Sequence, residues 1–210
     1  GVDWPIRYED IAPWYSYVEK FAGISGNRDG LRQIPDGEFL PPIEMTIAEK
    51  HLGDAIRKNF PGRTLVHGRS ANLTKSINGR TPCQFRHLCH RGCPFGAYFS
   101  SNGVTLPAAA KTGKMTLRPF SIVESVLFDE KKNRATGVRV IDANTKEVIE
   151  FRAKVIFLNA GTLPTTQILL NSTGSRFPEG LGNDSGALGR YLMDHNYRAH
   201  VSGDLDGFGD

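Results

Sequence analysis

Apolar side chains recur at helical spacing in the amino-terminal part of the chain. Aromatic and aliphatic residues occupy one face over residues 10–21, which predicts an amphipathic helix that ends at Gly23. The apolar positions between Met45 and Ile56 predict a second amphipathic helix, which Asn59–Gly62 would end. The first part of the chain is therefore expected to be helical, with a turn-rich connection between the helices.

Between Arg63 and Pro107 the apolar residues show neither helical nor strand periodicity, and glycine, cysteine, histidine and arginine accumulate there. Structureless segments of this length are uncommon in compact domains unless they carry function. We therefore expect a long functional loop, or a segment that a bound ligand organises.

Beyond this segment, short apolar stretches alternate with polar turns, a pattern typical of strands. They predict a three- or four-stranded antiparallel meander within residues 114–151. The predicted strands are Met115–Leu117, Ser121–Phe128, Thr136–Asp142 and Glu147–Phe151.

A different pattern follows the meander. The continuous apolar run Lys154–Leu158 is typical of a strand covered on both faces, and it leads through a small-residue turn into a helix predicted over Leu163–Asn171. Backbone N–H groups at a helix start, with Gly161 allowing close approach, suit a pyrophosphate. An ordinary strand-to-helix turn is the alternative interpretation. The fold class is α/β with α+β character, divided into residues 1–110 and 111–210.

Composition and charge narrow the class. The 210 residues, 39% of them hydrophobic, suffice for one large or two small domains and exclude a disordered tail. No apolar run approaches the roughly 20 residues of a transmembrane helix. The net charge of +4 conceals an acid-free stretch, residues 55–123, that carries eleven cations, against 15 cations and 22 acidic residues elsewhere.

That cationic stretch contains all three cysteines, Cys83, Cys89 and Cys93, separated by five and three residues. Thiolates are soft, charged metal ligands, and surrounding cations favour the thiolate form. The pattern therefore indicates a metal centre. A zinc site that includes His87 or His90 and a set of merely reduced thiols are the alternatives, while the odd count argues against a closed disulfide framework.

Two further features have weaker specificity. Asp194 and His195 form either an acid–base pair or a structural hydrogen-bonded pair. Aromatic residues among the cations suggest a nucleic-acid surface, but the stretch contains no recognisable nucleic-acid motif, so no nucleic-acid partner is expected. These aromatic residues are Phe85, Phe95, Tyr98 and Phe99.

Four segments in order resemble the glucose-methanol-choline (GMC) flavoprotein oxidoreductases, and within that family the branch of gluconate, fructose and glucose dehydrogenase flavoprotein subunits. One departure is Thr165-Thr166, where the family's second signature usually has Ser-Pro. The matching segments are residues 3–26, Gly92–Ala97 with its Cys-Pro-x-Gly-Ala signature, Ala160–Ser172 and Asn183–His195.

The resemblance implies an FAD-binding domain in residues 111–210 and part of a substrate or cap region, with the cysteine loop 83–97, in residues 1–110. It implies that Val123 lies beside the adenine of FAD and that Ala160, Gly161 and Thr162 approach the dinucleotide. In this branch a pattern like that of the three cysteines holds a 3Fe-4S cluster.

The expected activity is oxidation of an alcohol group of a sugar, polyol or sugar acid by hydride transfer to flavin, with a protein electron acceptor as partner. The family's Gly-x-Gly-x-x-Gly motif and catalytic histidine are not found here, so we expect an internal fragment that holds no catalytic residue and is inactive alone. A non-catalytic electron-transfer or metal-binding module centred on the cysteine loop is the alternative.

Overall fold

The computed structural model describes residues 5–194, 200–204 and 207. It divides into two compact units: the first ends at Thr116 and also includes the described residues from 203 onward, and the second is Leu117–Ser202. The described elements are α1 (Tyr8–Ala22), α2 (Ile47–Asn59), a 3-10 turn (Cys89–Arg91), a π-helical turn (Ser101–Thr105), α3 (Leu106–Ala110), β1 (Ser121–Asp129), β2 (Arg134–Asp142), β3 (Val148–Arg152) and α4 (Thr162–Asn171). The predicted mixed α/β character is confirmed.

In the first unit, both predicted helices form within two or three residues of their expected bounds. Gly23 ends α1 with a φ of +79°, and a Cβ there would lie 2.2 Å from Leu73 Cδ2. Glycine is required at this position for its conformation and for the close approach to Leu73. Leu73 is 0% exposed, and together with Ala22 and Ala97 it is part of the small core of this unit.

The segment predicted to be irregular, Arg63–Pro107, is mostly irregular as far as residue 100, but Ser101–Thr105 and the start of α3 are helical, which the sequence pattern does not predict. Backbone hydrogen bonds between distant segments order the irregular part. Ser25 and Ser70 exchange two such bonds, of 2.8 and 2.9 Å. The Leu73 N–H donates to the carbonyl of Ala97 (3.0 Å), and the Leu73 carbonyl accepts from the Cys83 N–H (2.8 Å). The segment 70–73 is thus the platform on which the cysteine loop rests.

The second unit contains the predicted meander, an antiparallel sheet in the order β1-β2-β3. Gly137 allows β2 and β3 to approach closely, because a Cβ there would lie 2.2 Å from the Phe151 carbonyl oxygen. The predicted strand Met115–Leu117 does not form. The Leu117 side chain is exposed, and this segment has no ladder partner among the described residues.

The prediction that Lys154–Leu158 forms a strand covered on both faces is wrong. The segment does not form a strand with any described residue, and the side chains of Val155 and Phe157 are 66% and 80% exposed. An apolar run indicates a need for burial, but a strand also requires neighbouring backbone groups that complete its hydrogen bonds. The helix predicted after it is α4, one residue longer at its start than expected.

None of the helices within the described ranges is long and apolar enough to cross a membrane.

Candidate functional site

A cavity of about 530 Å³ lies between the start of β1, the extended segment 157–160 and one face of α4. Apolar side chains form most of its wall, with a few amide and carboxylate groups among them. Residues of its wall include Val123, Glu124, Ile141, Ala160, Gln167 and Asn171.

An irregularity in β1 shapes this cavity. Val123 is opposite Val140 and Ser125 is opposite Arg139, so that Glu124 is an extra residue without a partner in β2. The extra residue is a β-bulge, which bends a strand and changes the direction of its side chains. The Glu124 carbonyl then accepts a hydrogen bond of 3.3 Å from Asn171 Nδ2 at the end of α4.

Ser172 fixes the end of α4 against the middle of β1. Its buried hydroxyl accepts from the Val126 N–H (2.8 Å) and donates to the Ile168 carbonyl (2.6 Å). Because backbone groups on both sides are satisfied by one side chain, the helix is positioned relative to the strand. This places the start of the same helix next to the cavity.

Gly161 precedes α4 with a φ of +95°, a conformation that favours glycine, and its carbonyl accepts the Thr165 N–H (2.9 Å). No side chain caps this end of the helix. Backbone N–H groups and the positive end of the helix dipole at Thr162 are therefore available to an anion.

Of the predicted cofactor-binding residues, Val123 and Ala160 line the same cavity, although they are far apart in sequence. Gly161 and Thr162 follow Ala160 at the helix start but are not part of the cavity wall. Sequence reasoning missed Gln167 and Asn171, which are four residues apart on one face of α4. That spacing is a signal that could have identified them.

A second, smaller cavity of about 190 Å³ lies in the first unit and is lined by Cys83, Cys89 and Cys93. Arg86 and His87 also contribute to its wall, and no carboxylate does among the residues that the structure describes. The positive charge of Arg86, with no carboxylate to oppose it in this lining, favours negatively charged sulfur.

Nitrogen donors approach each of these sulfurs. Asn72 Nδ2 lies 3.8 Å from Cys83 Sγ and 3.9 Å from Cys89 Sγ, and the Phe85 N–H lies 3.5 Å from Cys83 Sγ. Burial raises the pKa of the Cys93 thiol, but backbone N–H groups of residues 95–98 together outweigh it and lower that pKa below its ordinary value. The cavity is therefore suited to thiolates.

Arg80 supports the turn that carries Cys93. Its Nε donates to the Gly96 carbonyl (2.8 Å) and its Nη1 to the Ala22 carbonyl (2.9 Å), so it links the turn to the end of α1. The residue is 9% exposed, and its Nη2 has no hydrogen-bond partner within the described part of the chain. Burial lowers the pKa of Arg80, and the neighbouring Cys93 opposes this effect.

The described residues contain no group of three His, Cys, Asp or Glu side chains close enough together to hold a single metal ion. His87 lines the cysteine cavity, whereas the His90 ring packs edge-on against Tyr98 at 6.0 Å. Of the pair Asp194-His195, His195 lies outside the described residues.

Comparison with known proteins gives a match between residues 6–197 and the GMC oxidoreductase family. The 2-methyl-1,2-propanediol dehydrogenase of Mycolicibacterium austroafricanum is 30% identical over 204 residues, which are 96% of this chain and 36% of that protein. The fructose dehydrogenase large subunit of Gluconobacter japonicus is 27% identical over 93% of this chain and 36% of its own length. The paromamine 6'-oxidase of Streptomyces fradiae is 28% identical over 98% of this chain and 36% of its own length. The chain therefore spans about a third of the length of each of these relatives.

Proposed function

The chain belongs to the GMC oxidoreductase family, whose members bind FAD, and on that premise we propose that it is part of an FAD-dependent enzyme that oxidises an alcohol group. The observation that carries this proposal is the cavity between β1 and α4, because Val123 and Ala160 both line it. The named relatives include a diol dehydrogenase and a fructose dehydrogenase, which supports a polyol, sugar or sugar acid as the substrate class.

In this proposal Val123 contacts the adenine, while Ala160, Gly161 and Thr162 lie against the dinucleotide phosphates. The residues fit such a group, because the cavity is mostly apolar and the start of α4 offers uncapped N–H groups. Bound FAD would supply a two-electron acceptor for the hydride of the alcohol carbon. The β1 bulge and Ser172 would keep the cavity wall and the helix start at a fixed separation.

A pair of substitutions at Ala160 tests this site in the whole flavoprotein. Ala160→Asp places a carboxylate where we propose the pyrophosphate binds, and Ala160→Asn is the matched control of nearly equal size without the charge. Repulsion between the carboxylate and phosphate should weaken FAD binding at least tenfold more in Ala160→Asp than in Ala160→Asn. The measurement is FAD affinity by flavin fluorescence during reconstitution of the apoprotein.

Equal FAD affinities for the two variants would contradict the placement of the phosphates at Ala160. A whole protein that binds no FAD at all would contradict the proposed function itself. Turnover of polyols and sugars with an artificial electron acceptor then identifies the substrate class.

We also propose that Cys83, Cys89 and Cys93 bind a 3Fe-4S cluster that passes electrons from the flavin to an acceptor protein. In such a cluster the three thiolates need not converge on one ion, so three cysteines around one cavity suit it better than a single zinc ion. The approach of N–H donors to all three sulfurs supports the same proposal.

Iron and acid-labile sulfide analysis of the whole protein tests the cluster. Three irons per flavin are expected, with loss of iron in Cys89→Ser. Iron without any FAD binding would instead favour the alternative, an electron-transfer or metal-binding module centred on this loop. A whole protein that binds FAD but contains no iron would contradict the proposed cluster and would not affect the proposed oxidoreductase function.

The two domains predicted from the sequence would then have different tasks. We propose that residues 111–210 are part of the FAD-binding domain and that residues 1–110 are part of the substrate or cap region. We further propose that the catalytic histidine of the whole enzyme is not among residues 1–210, and on that proposal these residues alone should oxidise no alcohol even with FAD present. Measurable turnover by this chain alone would contradict that expectation.

A further inference from the structure

We infer that Asn72 is a positioning residue of the cysteine site, whose side-chain amide donates to two of the three sulfurs and raises the reduction potential of the centre that they bind. This inference rests on the proposed cluster and names a residue that controls it. Asn72 is eleven residues before Cys83, and the cysteine motif itself does not include it.

The orientation of the Asn72 amide is fixed from the side opposite the sulfurs. The Ser70 hydroxyl donates to Asn72 Oδ1 at 3.0 Å, so the carbonyl end of the amide is engaged. The NH₂ end therefore faces Cys83 Sγ at 3.8 Å and Cys89 Sγ at 3.9 Å. An amide has two N–H donors, so it can serve both sulfurs at once.

The backbone on both sides of Asn72 is also fixed. The Ala71 carbonyl accepts from the Phe99 N–H (2.9 Å), and Leu73 donates its N–H to the Ala97 carbonyl and accepts from the Cys83 N–H. Ser70 is paired with the buried Ser25. The amide is therefore held by the same segment, residues 70–73, that accepts the Cys83 N–H, and its NH₂ group faces the sulfurs of Cys83 and Cys89.

Hydrogen bonds to cysteine sulfurs are among the features that set the potential of iron–sulfur centres. An N–H donor stabilises the more negative, reduced form more than the oxidised form. Removing both donors should therefore make the potential more negative, while the irons and their ligands stay the same.

The test is a redox titration of the whole protein, monitored by EPR, with iron and FAD content measured on each sample. Asn72→Leu removes both donors at similar volume, and Ser70→Ala keeps the donors but frees the amide to turn. Thr74→Val is the matched control, because its hydroxyl belongs to the same segment but donates to the Pro41 carbonyl (2.7 Å) and does not line the cavity.

We expect a more negative midpoint potential in Asn72→Leu, a smaller shift of the same sign in Ser70→Ala, and the wild-type potential in Thr74→Val. An iron-containing Asn72→Leu protein with the wild-type potential would overturn the inference. If Asn72→Leu retains no iron, Ser70→Ala decides: a more negative potential supports the inference and an unchanged one overturns it.

The experiment distinguishes failure of the proposed cluster from failure of the role of Asn72. A wild-type protein that contains FAD but no iron would contradict the proposed cluster and, with it, the inference about Asn72. A wild-type protein with iron whose variants all titrate alike would overturn the role of Asn72 alone.

Discussion

The cysteine cavity and the cavity beside β1 are built by different kinds of interaction. Around the cysteines, single side chains such as Arg80 and Asn72 connect segments that are far apart in sequence. Beside β1, the cavity wall is formed at a bulge in an antiparallel ladder, and the adjacent side chains of Asn171 and Ser172 connect α4 to the strand. Positions in the loop region should therefore depend on the chemistry of single residues, and positions in the sheet on backbone geometry.

The largest effect should come from Arg80→Met, which removes the link between α1 and the turn after Cys93. Two shielded carbonyl groups, of Ala22 and Gly96, would lose their donor, and the free energy of unfolding should fall by roughly 3 kcal/mol. Arg91→Met, which removes an exposed cation from the same loop, is the control. Urea unfolding and the rate of cysteine modification measure the effect, and equal losses in the two variants would contradict this role of Arg80.

In the sheet, Gly137→Ala should have the next largest effect. The new Cβ would lie 2.2 Å from the Phe151 carbonyl oxygen, so β2 and β3 would have to separate, at a cost of about 2 kcal/mol. Gly53→Ala in α2 is the matched control, because its nearest neighbour would be 3.7 Å away and alanine favours a helix. Denaturant unfolding followed by circular dichroism should show destabilisation only in Gly137→Ala.

Ser172→Ala tests the connection between the two elements that form the β1 cavity. The buried Val126 N–H would lose its acceptor, at a cost of about 1.5 kcal/mol in the free energy of unfolding, and α4 would be held less firmly to β1. FAD affinity should therefore decrease along with stability. Ser185→Ala replaces an exposed serine of the same unit and should change neither quantity. A Ser172→Ala protein with the wild-type FAD affinity would contradict the expected role of Ser172 in FAD binding.

The smallest effect should be a change in acid sensitivity in Asp142→Asn. The Thr145 and Asn144 N–H groups, with Arg118, lower the pKa of Asp142 in the folded protein. A lowered pKa stabilises the fold above the ordinary aspartate range, and this contribution is lost as the pH falls from about 5 through the lowered pKa. The unfolding midpoint should thus change less between pH 6 and pH 3 in Asp142→Asn than in the wild type or in the exposed control Asp54→Asn.

The sequence predicts α1, α2, α4 and the three strands of the sheet well, because periodicity reports which face of an element is buried. It also contains a signal for the β1 bulge. The adjacent apolar pairs Ile122-Val123 and Val126-Leu127 interrupt strict alternation, which is what an extra residue produces.

Other features depend on contacts that no local pattern contains. The apolar run 154–158 predicts burial but not what would cover it, and Val155 and Phe157 are exposed in this chain. Asn72 and Arg80 have ordinary sequence surroundings, and their roles come only from the way the loop returns to α1 and to residues 70–73. Side chains that connect distant segments are therefore the part of a site that sequence reasoning misses.

Photolabelling with FAD that carries an azide on its adenine ring tests the proposed flavin site most directly. The whole protein would be labelled, digested and analysed by mass spectrometry, with excess FAD as the competitor. The label should attach to residues 121–128, around Val123, and free FAD should abolish it. If residues 121–128 stay unlabelled and another segment carries a label that free FAD abolishes, the flavin site does not lie between β1 and α4.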